Sequence, residues 1–213
     1  MKSPLIDETL EQQLAALLSR LIAPVELVCV AADGEKDREM VVFLEHFTAL
    51  SPKLSLKVLK PGQEPEVDQA LDALLLPATG VGTVGGMPRM IFHGVPGGKE
   101  ITAFASAVMA AGGALKPLDR PTLKDIEKIK NPMTLHICVS LACQHCSQLV
   151  SSAHRVAWEN PLVTAHMVDA NLYPELVKMY DIRRVPLTVI DRKKTVPGGK
   201  TMAELTTLLA RYK

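Results

Sequence analysis

A five-residue string occurs twice in this chain of 213 residues. Val95-Pro96-Gly97-Gly98-Lys99 returns letter for letter as Val196-Pro197-Gly198-Gly199-Lys200, each time just before a final helical pattern. The rest of the chain keeps the same order. Residues 7–22 carry Leu10, Leu14, Leu17, Leu18 and Leu21 at helical spacing until Pro24 stops them. Residues 25–31 then read as a strand, and residues 35–50 as a helix with Met40, Phe43, Leu44 and Phe47 inward and Asp33 as its N-cap. In the second half residues 122–130 are the leading helix, Pro132 the stop, residues 135–141 the strand and residues 146–158 the next helix. Leu76-Pro77-Ala78-Thr79 answers Val185-Pro186-Leu187-Thr188: 44 residues separate Asp33 from Pro77, and 43 separate Cys143 from Pro186. The chain therefore reads as two copies of one sheet-and-helix unit, residues 1–114 and 115–213, with the boundary in residues 112–117.

The copies differ where the strand meets the helix. The second has Cys143-Gln144-His145-Cys146 at that turn; the first has Asp33 and Lys36 in the matching places. Two thiols three residues apart at a strand-to-helix turn close a disulfide with little backbone movement. The helix N-terminus favours a thiolate on the first, and a lowered thiol pKa makes it a nucleophile near neutral pH. Only the second copy can exchange disulfides, so the first reads as a structural partner or a docking surface. The other two cysteines, Cys29 and Cys138, fall inside apolar strand patterns and read as inert core residues.

Composition removes several alternatives. A net charge of +1 with no basic stripe interleaved with aromatics gives no reason to expect nucleic acid. The first residues turn acidic at Asp7 and Glu8 before a signal-peptide core forms, and no apolar run approaches membrane-spanning length. The expected setting is the reducing cytoplasm, with no membrane partner.

Forty residues past Cys146, Val185-Pro186-Leu187-Thr188 follows Tyr180-Asp181-Ile182-Arg183, and this resembles the thioredoxin pattern in which a cis-proline loop faces the CxxC pair. The tandem arrangement, the empty first slot and Val139-Ser140-Leu141-Ala142-Cys143-Gln144-His145-Cys146 make the whole chain similar to the N-terminal domain of the flavoprotein subunit of alkyl hydroperoxide reductase. Pro24-Val25-Glu26-Leu27 and Pro96-Gly97-Gly98-Lys99-Glu100 carry the same resemblance, and tandem protein disulfide oxidoreductases are related to it. It implies an α/β chain of two tandem thioredoxin-like (glutaredoxin/thioredoxin) folds, with mixed sheets flanked by helices. It also implies a relay of electrons from a flavoprotein disulfide reductase to a peroxiredoxin or another disulfide-bearing protein, with no bound cofactor beyond the redox-active Cys143–Cys146 disulfide.

Roles follow for the named residues. Cys143 is the attacking thiol and Cys146 the resolving one. His145 supports the Cys143 thiolate. Pro186 is cis and presents the Val185 backbone to an incoming chain. The resemblance brings Glu100 towards the active pair across the junction of the halves, whereas its place in a first helical turn favours a solvated side chain. Histidine just before Cys146 also occurs in disulfide isomerases and oxidases, which gives a second reading. A third is a protein-docking or metal-binding module, although His136, His154 and His166 are not paired at metal-ligand spacing. Gly80-Val81-Gly82-Thr83-Val84-Gly85 matches a dinucleotide fingerprint, but a strand pattern follows it, so it reads as a glycine-rich hairpin. The Pro-Gly-Gly-Lys segments read as turns.

Overall fold

The computed structural model describes residues 2–212. Its first half runs α1 (Glu8–Leu18), β1 (Val25–Val30), α2 (Glu35–Thr48), β2 (Leu54–Leu59), α3 (Pro65–Ala70), β3 (Ala78–Thr83), β4 (Met90–His93), a 3-10 turn (Gly98–Glu100) and α4 (Ile101–Ala111). The second half repeats the order as α5 (Arg120–Glu127), β5 (Met133–Val139), α6 (Cys146–Glu159), β6 (Val163–Asp169), α7 (Pro174–Met179), β7 (Leu187–Ile190), β8 (Lys194–Pro197) and α8 (Met202–Arg211). All strands join one sheet in the order β2-β1-β3-β4-β6-β5-β7-β8. Within each half the inner strand pairs parallel with one neighbour and antiparallel with the other, and a hairpin strand follows. Parallel pairing of β4 with β6, Ile91 opposite His166, fuses the two four-stranded sheets. The hairpin expected around the glycines is the β3–β4 pair.

Most helices cover one face of this sheet and enclose a core continuous through both halves. Phe104 on α4 stands at its centre, with ring centroids 5.6 Å from Phe43, 4.9 Å from Phe47 and 5.0 Å from Phe92. Nearly every side chain of α4 is buried, because the helix packs on its own half and on α6 of the other. A helix apolar on all sides is stable only when sandwiched in this way. The opposite face carries α3 and α7 and two small apolar clusters, one per half.

Helix and strand ends correct several sequence expectations. Asp33 is not the N-cap of α2; Gly34 is, because Asp37 accepts from the Gly34 and Ala32 amides and leaves Asp33 exposed beside Lys60. α1 stops at Leu18 rather than at residue 22, since the Arg20 and Leu21 amides bond three residues back and tighten the chain into a turn. β5 begins at Met133 and ends at Val139; Leu141 lies outside the strand, where its carbonyl accepts from the first half.

Candidate active site

β5 delivers the chain to residues 140–145, where the Cys143 amide donates to the Ser140 carbonyl at 2.8 Å and folds the loop over the start of α6. Cys143 and Cys146 form a disulfide with Cα atoms 5.5 Å apart. Cys146 is the first residue of α6 and is fully buried, whereas Cys143 is partly exposed at the rim of the large core. His145 occupies the N-cap position without a side-chain hydrogen bond to the helix and faces solvent. The unpaired amides of that helix end direct partial positive charge at the pair. Cys29 and Cys138 stay free, buried away from this turn, and burial pushes their thiols up to about 11 and about 12. Neither supplies a thiolate at neutral pH.

The Val185–Pro186 peptide is cis, as is Leu76–Pro77 in the first half. The Pro186 carbonyl accepts from the Gly198 amide at 2.9 Å. Val185 is partly buried at the edge of the core that also holds Cys143, and its backbone precedes the first ladder position, Cys138 opposite Leu187.

The twin pentapeptides, identical in sequence, differ in place. In the first half the Lys99 amide donates to the Leu141 carbonyl at 3.2 Å, and Gly98 adopts φ +56° with its Cα facing that oxygen: a Cβ there would lie 2.8 Å from it. This turn is docked on the loop leading to Cys143. In the second half Gly199 has open space around it and Lys200 folds back on the turn's own carbonyls.

Glu100 follows Lys99 directly, and here the solvated expectation is overturned. The side chain is 0% exposed, and neither carboxylate oxygen has a hydrogen-bond partner among the described residues. Docking of the turn against the second half carries Glu100 inside with it. Burial, and then the Asp169 carboxylate, push its carboxyl up to about 7. Nothing in the local sequence reports this, because the turn's docking partners, the Leu141 carbonyl and α6, belong to the other half. Asp33 and Lys36, in the first half's slot, are bound in ion pairs with Lys60 and Glu39. Among the described residues no three histidine, cysteine or acidic side chains are grouped to hold a metal ion, and no helix is long and apolar enough to cross a membrane.

Residues 133–210 match the family described as thioredoxin domain. The alkyl hydroperoxide reductase protein AhpF of Pseudomonas aeruginosa is 26% identical over 182 residues, which is 85% of this chain and 33% of that protein. The Staphylococcus aureus (strain COL) protein of the same name is 24% identical over 94% of this chain and 37% of its own length. The chain thus spans about a third of the length of the curated relatives it matches. Among solved structures, the N-terminal domain of alkyl hydroperoxide reductase AhpF from Enterococcus faecalis superposes with a TM-score of 0.89 at 32% identity, covering 95% of this chain and 99% of that one. A protein disulfide oxidoreductase from Aeropyrum pernix, 21% identical, shares the fold with a TM-score of 0.84 over 96% of this chain and 92% of its own. These likenesses extend over the paired arrangement rather than over one half, and the chain belongs to the family of the AhpF N-terminal domain of alkyl hydroperoxide reductase, a thiol-disulfide oxidoreductase of thioredoxin-like fold.

Proposed function

We propose that the chain relays electron pairs from a flavoprotein disulfide reductase to the disulfide of a peroxiredoxin, through Cys143 and Cys146. The observation that carries this reading is the asymmetry of the pair: a partly exposed sulfur at a helix start beside a fully buried one. In the reduced protein the Cys143 thiolate attacks one sulfur of the partner's disulfide, forming a mixed disulfide and releasing the partner's other sulfur as a thiolate. The Cys146 thiolate then attacks the Cys143 sulfur, restores the internal disulfide and expels the second partner thiolate. Two electrons and, after protonation, two protons have moved to the partner. Proximity makes the second step fast. Val185 and Pro186 present the backbone edge against which the partner segment lies, and His145 supports the Cys143 thiolate. The Gly98–Glu100 turn packs against α6, which Cys146 begins, and this makes Glu100, its carboxyl pushed up to about 7, the candidate to accept the Cys146 proton as that thiol becomes a nucleophile.

The first half, residues 1–114, acts as a docking and supporting unit for residues 115–213. The chain binds no cofactor of its own; the flavin chemistry belongs to the donor. Reconstitution tests the reading: peroxide-dependent NADPH oxidation is measured in a mixture of a thioredoxin-reductase-type flavoprotein, this protein and a peroxiredoxin. The rate should depend on this protein and vanish with Cys143→Ser. An unchanged rate on omission, across several partners, together with efficient oxidation or isomerisation of unfolded substrates, overturns the relay in favour of an isomerase.

A further inference from the structure

On the sheet face covered by α3 and α7, the two small apolar clusters are separated by a polar seam where β4 meets β6. Three buried histidines fill it: His93 on β4, His166 on β6 and His136 on β5. Their rings form a ladder, His136 against His166 at 4.6 Å and His166 against His93 at 5.2 Å between centroids. The hydrogen bonds assign the tautomers. His93 Nδ1 is 2.6 Å from the Leu75 carbonyl, which only accepts, so Nδ1 carries the proton. His93 Nε2 is then an acceptor, and the Nδ1–H of His166 donates to it at 2.9 Å. His136 donates through Nε2 to Asp72 at 3.2 Å, leaving its Nδ1 buried without a partner.

The ladder grips one segment of the first half. Leu75 accepts from His93, Leu76 accepts from the Tyr173 hydroxyl at 3.0 Å, and Asp72 accepts from His136 and Arg192. Tyr173 immediately precedes α7, a helix with no fully buried side chain. That helix leads through residues 180–184 to Val185 and Pro186.

We propose that the His136–His166–His93 ladder is an acid-operated latch between the halves. With His93 and His166 neutral it clamps residues 72–76 to the sheet; protons taken up by these two rings free that segment and α7 while the large core remains folded. The geometry gives the mechanism. With His93 and His166 both protonated, the Nε2–H of one faces the Nδ1–H of the other, donor against donor, and the bond between the halves is lost. A proton on His166 Nε2 places a cation between two stacked imidazoles and within reach of Arg192.

Every element around the ladder contributes. Asp72 on the α3–β3 connection favours a proton, and Arg192 on the β7–β8 turn opposes one, with Asp191 beside it. Tyr173, Glu175 and Tyr180 approach from α7 and its ends, and His154 from α6 on the opposite face of the sheet. Burial is the largest influence; it pushes His93 down to about 4 and His166 well below the ordinary value. A histidine with a lowered folded-state pKa contributes fully at neutral pH, and its contribution is lost as pH falls from its ordinary value of 6.5 through the folded one.

The test is hydrogen–deuterium exchange of the oxidised protein, read as protection relative to intrinsic exchange. Residues 72–77 and 174–183 should lose at least tenfold in protection between pH 7 and pH 5, while β1 and β5 keep theirs. His166→Asn keeps an N–H near the Nδ1 position and cannot titrate, so it should blunt that loss; His154→Gln should not. Asp72→Asn, which leaves all three histidines in place, should loosen the same two segments already at pH 7. Unchanged protection of these segments at pH 5, simultaneous loss in β1 and β5, an undiminished response in His166→Asn, or Asp72→Asn indistinguishable from the parent at pH 7 would each overturn the latch.

Discussion

Replacing Glu100 by glutamine should stabilise this protein and slow it, both for the same reason. The side chain is sealed between the halves with neither oxygen partnered, so its ionised form is disfavoured and its carboxyl titrates at about 7 instead of 4.5. An acid whose pKa is raised on folding binds its proton more tightly in the folded state. Its contribution is complete below 4.5 and is lost as pH rises through 7. At about 1.4 kcal/mol for each tenfold gain in proton affinity, the loss reaches about 3 kcal/mol by pH 8. Glutamine keeps the shape and cannot ionise. The assay is urea unfolding of the oxidised parent and Glu100→Gln proteins from pH 4.5 to 8. Subtracting the two curves cancels the histidines, which titrate in both, and the advantage of the glutamine protein should grow by about 3 kcal/mol across that range. Disulfide exchange by the reduced glutamine protein should fall at least tenfold, with its rate no longer following a group near pH 7. A difference in stability that stays flat with pH would refute the placement of an ionisable, unpartnered carboxylate at this junction.

Cys146→Ser should accumulate a mixed disulfide on Cys143, because the fully buried resolving sulfur is gone; mass spectrometry locates the adduct, and modification at Cys29 or Cys138 instead would count against the assignment. His145→Ala should raise the pKa of the Cys143 thiol in the reduced protein and make the disulfide less oxidising, which the pH profile of iodoacetamide alkylation reads; an unchanged profile makes His145 a bystander. Gly98→Ala should cost about 1–3 kcal/mol, since the position has φ +56° and a Cβ would stand 2.8 Å from the Leu141 carbonyl. Gly199→Ala, in the open copy of the pentapeptide, should cost well under half as much in the same unfolding experiment.

What could be read from the sequence was whatever depends on order and spacing. The repeated succession of helix, strand and turn is local patterning, and it recovered the duplicated thioredoxin-like fold. Cys143 and Cys146 stand out because the thiols are three residues apart and start a helix, so chemistry and backbone signal coincide. Glu100 did not stand out: a glutamate beginning a helix is ordinarily wet, and its turn is docked, through the Lys99 amide, on the loop at Leu141, about forty residues away. The histidine ladder was hidden for a similar reason. His93 and His166 meet only because β4 pairs with β6, and no periodicity within either strand announces which edges of two sheets will join. Identical pentapeptides with different surroundings show the same limit.

The join between the halves is head to tail. β4 is the trailing edge of the first sheet, and β6 holds in the second the place that β2 holds in the first. A contact between unlike edges does not close on itself, and the fused sheet still presents a trailing edge at β8 and a leading edge at β2. Molecules stacked β8 onto β2 would continue the pattern as a fibre. The exposed strands carry the means to stop this: Lys194 and Pro197 on β8, and Lys57 on β2, set a lysine on both faces of any such contact and remove one amide from its ladder. The duplication that left a single cysteine pair thus also produced a polymerisable topology, blunted at its two ends by two lysines and a proline.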